Sequence, residues 1–249
     1  MKAISRQDLI RIERTAVRAW PALETAPVAG WLWRFSGGGS QRANSVSPLD
    51  FGGDDVEAAI AEAEDRYRAR GAAAMFQICD VVTPADLDQR LAHRGYRLQE
   101  PCTCLAKALA QTLAMPSGIE VAEQPGAEWL GIYCAGITPS RREAAPQILA
   151  RVPAPAAFLL RRQHGVPISV ALAVVSDGVV IAECVATLSA YRRQGASELI
   201  MRGLEAWGAA HGARLAALQA VAANAPAQAL YAKLDYRRVG GYHYRVLDR

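Results

Sequence analysis

The chain has 249 residues, 51% hydrophobic and 21% charged, with a formal net charge of +4; this ordinary globular composition suits one large domain or two small ones. The modest positive charge favours anionic ligands, but the basic residues are scattered, which argues against a nucleic-acid partner. No stretch approaches the ~20 apolar residues of a membrane helix, the charged amphipathic N-terminus is not a signal peptide, and a cytoplasmic protein is expected.

The first predicted element is a helix around Gln7–Trp20. A strand near Trp31–Phe35, the turn Ser36-Gly37-Gly38-Gly39-Ser40 and a second strand near Gln41–Val46 follow. The turn lacks the Gly-Lys-Ser/Thr ending of a phosphate loop and sits between two strands, so it reads as a hairpin turn. Next come a helix at about Asp54–Arg70, a strand Ala74–Cys79, a helix Pro84–Arg94 and a strand near Cys102–Ala106. Leu113–Gly118 resembles a linker and divides the chain into 1–115 and 116–249.

The second stretch opens with a strand at Ile119–Ala122 and a helix over Ala127–Ala135. A further helical segment near Ser140–Arg151 ends before Pro153 and Pro155. Strands follow at Ala157–Arg162 and Ile168–Val175, joined through His164-Gly165, and the Asp177-Gly178 turn feeds a third, Val179–Thr187. A helix over Gly195–His211 offers Leu199, Met201, Leu204 and Trp207 to a core. A strand at Arg214–Val221, a helix at Pro226–Leu234 and a strand at Tyr242–Leu247 complete the series.

The two stretches rhyme. Gly71–Gln77 parallels Gly212–Gln219, and Leu91–Arg97 parallels Tyr231–Arg237, in each case after a long helix. One fold used twice is the expectation. The cysteines (Cys79, Cys102, Cys104, Cys134 and Cys184) are odd in number and follow no zinc spacing, so buried thiols and no metal are expected.

One junction carries chemistry. The strand ending at Thr187 gives way to Arg192-Arg193-Gln194-Gly195-Ala196-Ser197 and then to a helix. A helix start has unpaired N–H groups and partial positive charge. Gly195 lets the backbone approach a ligand, and arginines add forked donors for phosphate oxygens. The turn suits a phosphate.

At these residues the chain resembles the GNAT superfamily of N-acetyltransferases, whose pyrophosphate loop reads Gln/Arg-x-x-Gly-x-Gly/Ala. Ser197 departs from the last position. Further on, Asn224 and the helix with Leu230-Tyr231, ending at Leu234-Asp235-Tyr236, follow the family's order, with Asp235 replacing a glycine. The resemblance is good from about Ala157 to Arg245 and topological before that. It implies an α/β (α+β) fold with a mixed, mostly antiparallel central sheet flanked by helices, present twice.

The resemblance also implies roles. Val185, Ala186 and Thr187 would offer backbone groups to the pantetheine arm of acetyl-CoA. Arg192, Arg193, Gln194, Gly195, Ala196 and Ser197 would wrap the pyrophosphate, with the Glu198 carboxylate turned away. Asn224 would contact the cofactor near its thioester. Tyr231 would be the general acid, where the plain alternative is a helix residue packing on the sheet. Glu183 shares a strand face with Val185 and stands where some relatives keep a base; it could equally face solvent or pair with an arginine.

The corresponding loop of the first stretch has Asp54 and Asp55 at its helix start, which can cap the N–H groups and would repel a pyrophosphate. Leu91 stands where the second stretch has Tyr231. Residues 1–115 are therefore expected to be a degenerate GNAT-like domain without acetyl-CoA, and 116–249 the catalytic one. Relatives carry two strands after the last helix; here there is room for one. The exposed edge calls for a strand from the first stretch or from a second subunit, so a homodimer is among the expected partners.

The implied activity is transfer of acetyl from acetyl-CoA to the amine of a small molecule, such as an amino acid, by direct attack. The alternative is a non-catalytic acyl-CoA-binding regulatory module. Arg141, Arg142, Trp129 and Tyr133 lie where relatives line acceptor pockets and hint at a carboxylate-bearing amine. Read as residues alone, they are first of all exposed helix positions.

Overall fold

A capping box starts the chain's first helix: the Ser5 hydroxyl accepts the Asp8 N–H while the Asp8 carboxylate accepts the Ser5 N–H. This helix, α1 (Arg6–Ala19), leads to β1 (Glu24–Val28), β2 (Trp31–Phe35), a 3-10 turn at Arg42–Asn44, α2 (Val56–Arg68) and β3 (Ala74–Cys79). Then follow α3 (Leu87–His93), β4 (Arg97–Ala108), β5 (Ile119–Ala122), α4 (Ala127–Ala135), α5 (Pro139–Leu149), β6 (Ala156–Gln163) and β7 (Val166–Ser176). The last elements are β8 (Val179–Thr187), a 3-10 turn at Ser189–Tyr191, α6 (Ala196–Ala210), β9 (Leu215–Val221), α7 (Ala225–Lys233) and β10 (Arg237–Leu247). The computed structural model describes residues 4–248, and among them no helix is long and apolar enough to cross a membrane.

Eight strands among the described residues form one sheet in the order β3-β10-β4-β9-β8-β7-β6-β5. Neighbours are antiparallel except β8 and β9. The mixed, mostly antiparallel sheet flanked by helices is the expected one. β7 shows how sequence builds it. Val170, Leu172 and Val174 share a cluster with Ile12 of α1, Trp129 of α4 and Ile148 of α5. The alternate residues Ala171 and Ala173 share the opposite one with Ile200 and Leu204 of α6. A strand of period two with an apolar residue at every position must be covered on both faces.

The element series α2–β3–α3–β4 recurs as α6–β9–α7–β10. The two series exchange their last strands. β10 pairs with β3, Tyr242 opposite Cys79, while β4 pairs with β9, Cys104 opposite Gln219. The exchanged strands also pair with each other. The edge left open by a single C-terminal strand is thus covered by the first stretch.

Two expectations for the first stretch are corrected. The hairpin turn lies at Ala29-Gly30, between β1 and β2, where both residues take positive φ. Gln41–Val46 is not a strand. Asn44 Oδ1 accepts the Ser36 and Gly38 N–H groups, and its Nδ2 donates to the Gly38 and Ser40 carbonyls. This side chain gives the backbone its partners locally, in competition with a strand ladder, and isolated bridges from Val46 to Phe76 and from Ser47 to Leu32 remain. β10 is longer than expected, starting at Arg237 instead of Tyr242.

Candidate active site

β8 and β9 are hydrogen-bonded in parallel from Val179 with Leu215 to Ala182 with Leu218. Beyond that, β8 continues beside β7 and β9 continues beside β4. The strands part at Glu183 and Gln219. A bulge begins the parting: the β7–β8 register shifts between Val170 and Leu172, and Cys184 takes φ +54°. A bulge bends its strand and re-aims side chains. Among the described residues, Val185, Ala186 and Thr187 have strand β7 on one side and no strand on the other.

The basic loop lies at the end of β8. Arg192, Arg193, Gln194 and Gly195 are exposed, and Gly195 caps α6 in the left-handed region, with φ +79°. A Cβ there would meet no atom of the protein within 4 Å, so the space beside it is open. Among the described residues, no side chain caps the first N–H groups of α6. Arg192 Nε donates to the Thr187 carbonyl at 3.2 Å and Gln194 Nε2 to the Ala190 carbonyl at 3.0 Å, folding the loop onto the strand end. The Ser197 and Thr187 hydroxyls lie 2.9 Å apart. Glu198 binds Lys233 at 2.6 Å and Arg202 at 3.0 Å; the Lys233 bond first, then Arg202, holds its carboxyl below the usual range. It ties α6 to α7. Uncapped donors, the helix dipole and two arginines together favour negative charge at this helix start.

Asn224 caps α7, its Oδ1 accepting the Ala227 N–H at 3.3 Å. Tyr231, two turns on, is buried in the same cluster as Val185 and Tyr236. Burial, then the Glu183 charge, pushes its phenol up to about 12, so it is protonated at neutral pH.

Glu183 is buried and does not face solvent. Arg42, from the 3-10 turn of the first stretch, binds both its oxygens, with Nη2 to Oε2 at 2.6 Å and Nη1 to Oε1. The Glu183 charge, working against burial, raises the Arg42 guanidinium further above its ordinary value. Arg42 also lies over the Trp20 ring, 5.8 Å from its centroid, and lines a cavity of about 480 Å³. Gly39 and Glu100 come to this cavity from the first stretch, Arg141, Gln219 and Tyr242 from the second. Behind Gln219, its Nε2 donates to both carboxylate oxygens of Glu13, at 2.9 and 3.0 Å. A larger cavity of about 970 Å³ lies against Gly178, Arg214 and Leu215, at the opposite ends of β8 and β9, and touches none of the expected site residues.

Of the four residues expected near an acceptor, Arg141 lines the cavity. Trp129 and Tyr133 belong to the core, the Trp129 Nε1 donating to the Ala171 carbonyl at 3.3 Å. Arg142 Nε donates to the Ile137 carbonyl. Sequence reasoning missed Arg42 and Glu13. No local signal marks Arg42, which stands 141 positions from Glu183 on a segment that reads as a strand. Gln219 was visible as the partner of Gln77 in the repeat, though not as a site residue. Among the described residues, no group of three or more His, Cys, Asp or Glu could hold a metal ion.

Over residues 7–245 the chain matches the family described as "Probable histone acetyltransferase Rv0428c C-terminal". It is 27% identical over 247 residues to the uncharacterized N-acetyltransferase YobR of Bacillus subtilis (strain 168), covering 96% of this chain and 98% of that one. In fold it is similar to a GCN5-related N-acetyltransferase from Kribbella flavida, with a TM-score of 0.69 at 20% identity over 95% of this chain and 94% of that one. It is also similar to a tandem GNAT protein from the clavulanic acid biosynthesis pathway, with a TM-score of 0.64 at 10% identity over 99% and 96% of the two chains.

Proposed function

Since the chain belongs to the family described as probable histone acetyltransferase Rv0428c C-terminal and is an acetyltransferase of the GNAT type, we propose that it acetylates the primary amine of a small molecule, such as an amino acid, from acetyl-CoA. The observation that carries this reading is the parting of β8 and β9 beside the uncapped, arginine-flanked start of α6. The gap offers unpaired strand backbone to an amide-bearing arm, and the helix start offers N–H groups to phosphates.

Acetyl-CoA, when bound, supplies an acyl carbon already activated as a thioester. Arg192, Arg193, Gln194, Gly195, Ala196 and Ser197 would hold its pyrophosphate, and the backbone of Val185, Ala186 and Thr187 its pantetheine arm. Asn224 has its side-chain oxygen on the Ala227 N–H, so Nδ2 is the group it offers near the thioester. Glu183 is our base. A carboxylate has about four lone-pair sites, so the two Arg42 bonds leave others for an N–H of the acceptor. Glu183 takes one proton from the incoming ammonium and releases it to solvent; the amine nitrogen then bonds to the acyl carbon, and the second proton it sheds replaces, through solvent, the one that Tyr231 gives up. Tyr231, kept protonated by burial, gives its proton to the sulfur as the carbon–sulfur bond breaks.

Residues 116–249 supply this chemistry in our reading, and 1–115 bind no acetyl-CoA. The helix start equivalent to Gly195–Ser197 is filled from within: Asp55 Oδ1 accepts the Glu57 and Ala58 N–H groups. Leu91, the counterpart of Tyr231, is fully buried. A cytoplasmic location without a nucleic-acid partner completes the proposal.

Calorimetric titration with acetyl-CoA tests it. One site is expected in the wild type and none in Gly195→Asp, whose carboxylate would occupy the anion site. Tyr231→Phe should keep that affinity while kcat falls at least about tenfold, or ~1.4 kcal/mol of barrier. Binding without thiol release for any amine or lysine-bearing peptide would convert the protein into an acyl-CoA-binding module.

A further inference from the structure

The cavity at Arg42 has a second cation, Arg141, that is bonded to no carboxylate among the described residues, although Glu100 also lines the cavity. Arg42 is matched by Glu183. Arg141, near the start of α5, has no ion pair or hydrogen bond to its guanidinium among the described residues, and its Nε is buried. Its neighbours Tyr133 and Cys184 give it no anion, since burial, their largest influence, raises both groups and keeps them protonated. A buried donor left unpaired is costly, and such a group in a native chain points to something else that completes it.

Gln219 supplies the opposite lack. Its Nε2 serves Glu13, and its Oε1 is buried with no donor. Both residues line the cavity, and each carries a buried polar atom without a partner among the described residues, a donor on Arg141 and an acceptor on Gln219. Beside the latter, where β8 and β9 part, stands the Glu183 carboxylate. The glycine loop of the first stretch fixes the spacing. A Cβ on Gly39 would fall 2.3 Å from the Ser140 carbonyl oxygen and 3.2 Å from the Arg141 Cα. Only glycine lets this loop close against α5 and seat Arg141 over the cavity.

We infer that the cavity between the two stretches binds an amine that also carries a carboxylate, the carboxylate lying on the Arg141 fork and the ammonium toward Gln219 and Glu183. This inference rests on the transferase reading for the fate of the amine, but the binding site stands on its own residues. It makes the first stretch part of the acceptor site. It also disfavours a lysine side chain within a peptide, which has no carboxylate of its own beside the amine.

The test sets amino acids of graded length against their carboxamides, which keep the amine and remove the charge. Calorimetry with CoA present reads binding, and thiol release from acetyl-CoA reads turnover. Wild type should favour at least one acid over its carboxamide by at least about tenfold. Arg141→Gln should lose that preference through a higher KM for the acid, with a smaller change for the carboxamide, whose carbonyl is the weaker acceptor, and the acetyl-CoA constants unchanged. Arg141→Lys, which keeps the charge but not the fork, should fall between. Carboxamides or lysine-bearing peptides that serve as well as acids, or a preference that survives Arg141→Gln, would overturn the inference while leaving the transferase reading intact. Acids bound selectively through Arg141, without any acetyl-CoA binding, would uphold the pocket and sink the transferase reading instead.

Discussion

Glu13, on the buried face of α1, faces Gln219 across the floor of the site. Burial chiefly, opposed by the Gln219 bond, raises its carboxyl from 4.5 to about 7. A raised acid holds its proton more tightly in the folded chain than in the unfolded one. Its contribution to stability is therefore complete below 4.5 and is lost as pH rises through about 7. On the order of 3 kcal/mol is involved. Glu13→Gln keeps a side-chain acceptor for Gln219 and removes the titration. Urea unfolding of both proteins from pH 4.5 to 8 should show the wild type losing stability relative to the variant across that window. Parallel pH profiles would assign the titration to another group.

At the scale of single elements, the SGGGS loop and α5 form a contact that a pair of substitutions can isolate. Gly39 and Gly37 both have left-handed φ, +75° and +72°, but only a Cβ at 39 meets another element. Alanine at either position carries roughly 1–3 kcal/mol of backbone strain. Gly39→Ala adds a collision with α5. It should raise the acceptor KM several-fold and lower Tm more than Gly37→Ala does, with acetyl-CoA affinity equal in the two. Equal acceptor KM values would detach the loop from the site. The contrast between the two glycine loops also shows what sequence makes legible. Arg192–Ser197 could be read because strand, turn and helix start are adjacent in the chain, so local rules suffice. Ser36–Ser40 could not, because its meaning lies in Ser140 and Arg141, about a hundred residues away. Glu183 was readable as a strand residue, but the face it was expected to share with Val185 is lost at the Cys184 bulge, which puts Val185 in the cluster of Ala182 and leaves Glu183 on the side of Ile181; its Arg42 partner was hidden by distance along the chain. The Cys184 bulge, which opens the gap, has no composition signal at all.

At the scale of the molecule, each half is closed by the other. The core of the first stretch contains Tyr242, Tyr244 and Val246 of β10 beside Phe76 and Tyr67, and the core under α6 contains Leu105 of β4 beside Leu218 and Leu234. The sequence repeat revealed two similar series but not the exchange, because either strand would fit either sheet by pattern alone; hydrophobic periodicity carries no address. Fragments 1–115 and 116–249 should each fail to give a dispersed NMR spectrum when expressed singly, and should form one soluble complex when expressed together. Two independently folded fragments would mean the exchange is dispensable.

The exchange also imposes an order on synthesis. The chain leaves the ribosome from its N-terminus, so β3 waits for its neighbour until β10, about 160 residues later, is made. During that wait its edge is a template for other nascent chains, and the interval lengthens whenever translation of the second half slows. A premature stop just before Arg237 would accordingly do its first damage some 160 residues upstream, at Ala74–Cys79, where β10 should have docked.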